Sequence, residues 1–306
     1  MLPIKEYIAH PNILGMSLLK KYGLWLPDSI YLRLLYRFKM GKPLHLRNPQ
    51  TFNEKLQWLK LYNRRPEYTT MVDKYAVKDY VASIIGGEFI IPTIGVWDNP
   101  EDIEWNKLPD KFVLKTTHGG GSEGVVICKD KDSLDKEKVI KQLKKGLRQD
   151  VYKYGKEWPY KNVPRRIIAE EYIEEENGEL NDYKVFNFNG EPKVIQVDYN
   201  RFKGHLRNLY NTDWEKIDAT IEYPSDPNKV INKPAALSQL LDLAKKLSVS
   251  IPHVRTDFYI VENKVYFGEM TFFHGSGFEH FSPDSFERVL GDWIVLPINK
   301  TGGFVG

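Results

Sequence analysis

The chain has one cysteine among 306 residues, Cys128, which excludes an intramolecular disulfide framework. It has no apolar run near the ~18 residues a membrane span needs, so any membrane contact is expected to be peripheral. Charge of one sign is scarce too: the net formal charge is +3 with 28% charged residues, a balance that argues for neither nucleic acid nor a polybasic membrane anchor. Internal repeats and low-complexity linkers are lacking, so domain boundaries have to come from motifs. The opening MLPIKEYIAH lacks the basic start and apolar stretch of a secretory signal, and the cytoplasm is the expected compartment. What is present is ordinary for a globular protein: 42% apolar residues and a length sufficient for two or three small domains.

The first third reads as helical. Asp28 is a candidate cap for a helix whose Ile30, Leu34, Leu35 and Phe38 share a face, with Arg33, Arg37 and Lys39 opposite. The basic side reads as the solvated side of a docked helix or as a surface resting on a membrane. TFNEKLQWLK supplies a capping box, Thr51 with Glu54, and a stripe of Phe52, Leu56 and Leu59. MVDKYAVKDYVASIIGG carries Val77, Val81 and Ile84 at helical spacing and stops at Gly86 and Gly87. Then the period changes. EFIIPTIGVW suits an edge strand because of Pro92, and KFVLKTT, GVVICKD and RRIIAEEYI read as further strands. SLDKEKVIKQLKKGL is a charged helix with Val139, Ile140, Leu143 and Leu147 on one side. DYKVFNFNG and EPKVIQVDYN are strands, a helix opens at Pro234, and VRTDFYIVENKVYFGEM is a hairpin turning near Glu262 and Asn263. The hairpins make the fold class α+β rather than a doubly wound parallel sheet.

Two constellations carry chemistry. Gly119, Gly121 and Gly124 match G-x-G-x-x-G, but β-branched residues follow where a dinucleotide fold needs a helix. No G-x-x-x-x-G-K-[ST], H-R-D or D-F-G accompanies them. What fits is a hairpin tip whose unhindered amides curl around phosphate oxygens, with Lys115 as a point charge on the preceding strand; the other reading is a plain flexible turn. Downstream, Asp257 and Glu269 fall on the two strands of the last hairpin and are expected to face each other across it. Such a pair repels unless a cation lies between, and Mg²⁺ shared with ATP phosphates, a hard ion taking one or two protein oxygens, fits. Arg255, two residues from Asp257, points to the same face and is placed to neutralise charge on a transferred group.

Lys115, the glycine loop, E-E-Y-I, R-x-D-F, and G-E-x-T followed by S-G-F together resemble the ATP-grasp superfamily, the tail being especially similar to D-alanine:D-alanine ligases. The whole chain is similar to the TupA-like branch, associated with teichuronopeptide and other surface-polysaccharide gene clusters. The resemblance implies two α+β subdomains clasping ATP behind a helical segment: residues 1–70 helical, 71–173 the small lid with the glycine loop, 174–306 the large part with the magnesium site. It implies ATP-phosphate contacts for Lys74, Lys115, Gly119, Gly120, Gly121 and Ser122. It makes Glu170, Glu171, Tyr172 and Ile173 the hinge that reads adenine, and gives Asp182 a ribose or substrate contact. Lys184 approaches the γ-phosphate, Asp257 and Glu269 bind magnesium, Arg255 stabilises the reaction centre, and Gly277 donates to an oxyanion. Thr271 stands where the superfamily usually has asparagine, which weakens the coordination of a second Mg²⁺. His118 reads as a phosphate neighbour, His274 and His280 as pocket or core residues; Lys74 alone reads equally as an exposed helix lysine.

The implied reaction is that of a carboxylate–amine ligase: ATP activates a carboxylate as an acylphosphate and an amine displaces phosphate. The branch suggests an amino acid or peptide joined to a uronic acid of a capsule, O-antigen or teichuronopeptide precursor, with peripheral contact at the inner membrane face if that precursor is lipid-linked. The alternatives are an ATP-grasp kinase of a sugar or lipid-linked glycan, and a glycosyltransferase-like or binding protein. For the last, a D-x-D motif would have to be Asp130 with Asp132, which instead suit the cap of the following helix. No H-E-x-x-H or cysteine-rich spacing supports zinc. Trp97, Trp105, Trp158 and Trp214 read mainly as packing residues.

Overall fold

The computed structural model describes residues 11–121, 123–174, 180–199, 204–226 and 228–297. Helices come first among them: α1 (Pro11–Tyr22), α2 (Asp28–Met40), α3 (Phe52–Tyr62), α4 (Glu67–Val72) and α5 (Ala76–Ile85). α3 begins with the expected reciprocal box. Thr51 Oγ1 accepts the Glu54 amide at 3.4 Å, and Glu54 Oε2 accepts the Thr51 amide at 3.2 Å. Its Phe52, Leu56 and Leu59 are buried.

Elsewhere in this segment the structure corrects the sequence reading. Asp28 makes no capping bond; its carboxylate turns to Arg64 at 2.7 Å and Lys156 at 3.3 Å. α2 buries Tyr31, Leu32, Leu35 and Tyr36, leaving Ile30 and Leu34 exposed beside Arg33 and Arg37. The two tyrosines carry more apolar area than Ile30 and Leu34, so the helix turns their side inward. The third helix is split at Asp73, whose Oδ1 accepts the amides of Tyr75 at 2.9 Å and Ala76 at 3.4 Å. In α5 it is Ile85, not Ile84, that faces the core.

The first sheet holds β1 (Thr93–Trp97), β2 (Phe112–Thr116), β3 (Val125–Cys128) and β4 (Ile167–Glu171) in the order β1-β4-β2-β3, all antiparallel. Pro92 precedes β1 at the sheet edge, where a missing N–H breaks no ladder. α6 (Lys136–Leu147) buries Val139 and Leu143 in this sheet's small core, beside Phe112, Leu114 and Ile167. Its cap is Asp135, which accepts the Lys138 amide at 3.0 Å; Asp130 instead accepts the Asp132 amide within the preceding turn. The short α7 (Val151–Gly155) leads back to β4.

The second sheet contains β5 (Asp182–Phe188), β6 (Glu191–Tyr199) and β7 (Leu206–Tyr210); after the short β8 (Thr220–Ile221) and α8 (Leu237–Leu247) come β9 (His253–Val261) and β10 (Lys264–Thr271). Its order is β10-β9-β5-β6-β7, again antiparallel throughout. Glu262 and Asn263 both have positive φ, 49° and 65°, the primed turn that suits a two-residue hairpin. α8 starts at Leu237, three residues after the predicted Pro234. β11 (Phe281–Ser282) pairs with β8, and α9 (Asp284–Trp293) packs on α3. The N-terminal helices share this sheet's core: the Phe52 ring lies 6.4 Å from Phe186, 6.2 Å from Phe188 and 5.9 Å from Phe281.

Candidate functional site

One face of the second sheet is charged, and strand register explains it. Along β9 and β10, pairing runs regularly from Lys264–Val261 to Phe267–Phe258 and then shifts by one residue at Gly268. This bulge sets Glu269 opposite Asp257 and Thr271 opposite Arg255. Without it Glu269 would pair with Thr256 and its side chain would leave Asp257's face. Gly268 suits the bulge because an added Cβ would lie 3.1 Å from the Asp257 carbonyl oxygen. On the neighbouring strand Lys184 is opposite Asp257; Asp182 pairs with Asp198, and Asp198 with Arg207.

The side chains converge as the register requires. Arg255 Nη2 lies 2.7 Å from Asp257 Oδ2, 3.3 Å from Glu269 Oε1 and 3.2 Å from Thr271 Oγ1, while its Nε donates to Asp257 Oδ1 at 2.7 Å. Three oxygens expected to serve a metal thus meet at one cationic nitrogen. Lys184, buried, bonds Asp182 and stands 3.4 Å from Asp257 and 3.6 Å from Asp198. Asp198 binds Arg207 at 2.8 Å, Arg207 approaches Glu279 at 3.6 Å, and Glu279 meets His274. His274 Nδ1 accepts from Arg255 Nη1 at 2.6 Å, which closes the ring of charges.

This network sets the ionisation. Burial raises Asp257, and Arg255 and Lys184 only partly oppose it, so its carboxyl is pushed up to about 6. Burial also opposes ionisation of Glu269, but Lys74, Arg255, Lys184 and Lys115 prevail and hold it at about 2. Burial lowers His274, with Glu279 pulling the other way and Arg255 adding to the depression. A guanidinium can only donate, so Nδ1 must carry the lone pair and the hydrogen of the neutral ring sits on Nε2, the nitrogen beside Glu279.

The first sheet contributes through β2, the strand that leads into the glycine segment. Lys115 on β2 binds Glu170 at 2.6 Å, and Lys78 binds the same carboxylate at 2.6 Å. Burial works against the Glu170 charge, but these two lysines keep it below the usual carboxylate range. Lys74 is no exposed helix lysine. Its Nζ donates to the Gly119 carbonyl at 2.6 Å and lies 3.5 Å from Glu269, joining the glycine loop to the second sheet. Gly119 and Gly124 pack on Thr116, whereas Cβ atoms at Gly120 and Gly121 would meet nothing within 4 Å; Gly121 alone of the four has positive φ, 74°. Ser122 lies outside the described residues. His118 is buried with Nε2 on the Gln149 carbonyl at 3.2 Å; burial and then Arg165 lower its pKa, leaving it neutral.

The remaining expected residues are not part of the charge ring. Glu171 ends β4, paired with Phe112 at the end of β2 away from the glycine loop, and Tyr172 and Ile173 follow the strand, the Tyr172 ring flanked by the amines of Lys111 and Lys129 at 6.0 Å and 5.5 Å. Gly277 has φ +63°, and its carbonyl accepts from Gln57 at 2.7 Å; a Cβ there would lie 2.5 Å from that nitrogen. Ser276 precedes it, also at positive φ, with its carbonyl and hydroxyl held by buried Lys60 at 2.8 Å and 3.0 Å. His280 sits in the strand pairing region, its carbonyl accepting from Glu222. Sequence reasoning missed Asp198, Arg207, Glu279 and Lys78. For Asp198 a signal existed, since Gln196 and Asp198 alternate with apolar residues in β6 as Asp182 and Lys184 do in β5.

Residues 54–295 match the TupA-like ATPgrasp family. The chain belongs to that family and has the ATP-grasp fold. No curated protein matches it. Among solved structures it is similar to D-alanine–D-alanine ligase from Helicobacter pylori, at 16% identity over 81% of this chain and 70% of that one, TM-score 0.43. The ATP complex of the Bacillus anthracis ligase gives 16% identity, 66% and 53% coverage and TM-score 0.39. N5-carboxyaminoimidazole ribonucleotide synthetase from Thermus thermophilus gives 14% identity, 66% and 45% coverage and TM-score 0.39.

Proposed function

We propose that this chain is an ATP- and Mg²⁺-dependent carboxylate–amine ligase that forms an amide and releases ADP and phosphate. The supporting observation is the meeting of Asp257, Glu269 and Thr271 oxygens at Arg255 Nη2, with Lys74 and Lys184 alongside. Among the described residues no group of three or more His, Cys, Asp or Glu is arranged to hold a metal unaided. Two carboxylates and a hydroxyl suit instead a Mg²⁺ ion that completes its shell with phosphate oxygens and water. Bound there, the ion supplies charge neutralisation for phosphoryl transfer.

In this reading the lid is 71–173 and the large subdomain 174–306. Gly120 and Gly121 present their amides to phosphate, and Lys115 and Lys74 neutralise it once Glu170 and Glu269 share them. Arg255, kept in place by Asp257 and His274, faces the group on which charge develops. Lys184 adds a second cation, and Gly277 keeps the 274–277 turn close against α3. Glu171, Tyr172 and Ile173 border the adenine, and Asp182 contacts ribose or substrate. Closure of the glycine loop keeps water from the acylphosphate. The substrates proposed are an amino acid or peptide amine and a uronic-acid carboxylate of a bacterial surface-polysaccharide precursor, with the reaction in the cytoplasm.

The test is ATP turnover with uronic acids and amines supplied separately and together. Equal ADP and free phosphate, produced only when both classes are present, support the ligase. ADP without free phosphate would make the protein a kinase and sink this reading.

A further inference from the structure

The rotation of α2 leaves a surface that the reaction does not use. Ile30 and Leu34 are 46% and 39% exposed and share one helical face with exposed Arg33 and Arg37, at the i, i+3, i+4, i+7 spacing. On α1, Leu14, Leu18 and Tyr22 recur every four residues and are likewise exposed. Leu19 and Gly15 face inward instead, an added Cβ at Gly15 lying 2.5 Å from the Phe38 ring. The turn between the helices carries Trp25 at 81% exposure, flanked by Leu24 and Leu26.

The charges that the hairpin itself carries are nearly all of one sign. Residues 11–53 contain seven lysines and arginines against Asp28 alone. That carboxylate is bound inward by Arg64 and Lys156, so it does not offset the exposed Lys20, Lys21, Arg33 and Arg37. We infer that the α1–α2 hairpin docks on an anionic lipid surface, with Trp25 and the leucine stripes entering the interface and the basic residues meeting the headgroups. Helices that each expose apolar residues alongside Lys/Arg have the composition of an interfacial anchor, and tryptophan in the connecting turn suits the headgroup level. A second copy is a poor occupant, because two such faces bring like charges together. An acidic protein partner would need a pocket matched to the exposed Trp25 ring, which a bilayer accommodates without one. The inference rests on the hairpin alone and stands or falls independently of the reaction proposed above.

The experiment is co-sedimentation of the full chain with vesicles of phosphatidylcholine alone and of phosphatidylcholine with one-third phosphatidylglycerol. Wild type should pellet with the anionic vesicles at least tenfold more than with the neutral ones, and less as salt rises. Two variants follow: Leu18→Ser with Trp25→Ser, and Arg33→Gln with Arg37→Gln. All four positions are exposed, so melting temperatures should hold while anionic-vesicle binding falls at least tenfold. No sedimentation with either vesicle overturns the inference, as does binding that both variants retain. Concentration-dependent dimerisation abolished by the same substitutions, without vesicle binding, would make the face a self-interface instead.

Discussion

Alanine at Gly120 and at Gly124 should separate the two readings of the glycine loop. At Gly120 the new Cβ has no neighbour within 4 Å and φ is not left-handed, so the folded state takes it without strain. Reduced freedom of the unfolded chain then leaves stability unchanged or higher by ~0.4–1 kcal/mol. At Gly124 the Cβ would fall 2.2 Å from Thr116 Oγ1, and Gly146 of α6 is packed so closely that its own Cβ would sit 2.8 Å from Gly124 Cα. That overpacking should cost ~1–3 kcal/mol, because Thr116 is held in β2 and cannot retreat. If the loop cradles phosphate, the Gly120 methyl holds the phosphate off and weakens a charged hydrogen bond worth ~1.5–3 kcal/mol. The dissociation constant for a magnesium complex of a non-hydrolysable ATP analogue should therefore rise about ten- to a hundredfold. Calorimetric titration and urea unfolding on both variants give the two numbers. Unchanged nucleotide affinity in Gly120→Ala would falsify the phosphate role and leave the segment a turn.

Three further outcomes follow from the packing and the charges. Phe52→Ala empties a site between Phe186, Phe188 and Phe281 and should lower unfolding free energy by ~3–5 kcal/mol in urea; a loss under 1 kcal/mol would mean that α3 does not hold the sheet. Glu54 is partly opposed by burial, but the amides of Gln50, Thr51 and His45 and the His45 ring hold its pKa below the ordinary 4.5. A depressed carboxyl contributes stability above its unfolded pKa and loses it as pH falls through the folded value, so Glu54→Gln should flatten the decline of stability below about pH 4.5. An unchanged acid limb in urea unfolding would contradict this. Arg255→Gln removes the cation between Asp257 and Glu269, so its melting temperature should fall and be partly restored by Mg²⁺ without nucleotide; restoration equal to that of wild type would show that the carboxylates do not share a cation.

Much of this was legible in the chain because the signals were local. The capping box at Thr51, the turn at Glu262 and Asn263, and the glycine tip between two β-branched runs each depend on a few consecutive residues, and each formed as expected. The facing of Asp257 and Glu269 was read correctly although the bulge at Gly268 that produces it was not, since a one-residue slip leaves no mark in composition. The inward side of α2 was misread because both of its sides are apolar, and only the packing of Tyr31 and Tyr36 decides between them. Arg207 and Glu279 were out of reach for a different reason. The contact that joins them to each other spans a long stretch of chain, with no spacing rule to link them.

The central claim, that the charged sheet face and the glycine loop form one magnesium–nucleotide site, is tested most directly by melting temperature with and without Mg²⁺ and a non-hydrolysable ATP analogue. Wild type is compared with Asp257→Asn plus Glu269→Gln. At ~100 times its dissociation constant the ligand should stabilise wild type by about 2.7 kcal/mol, a rise of roughly 5 °C that needs Mg²⁺ and shrinks in the variant. No rise in wild type, or an equal rise in the variant, would contradict the account.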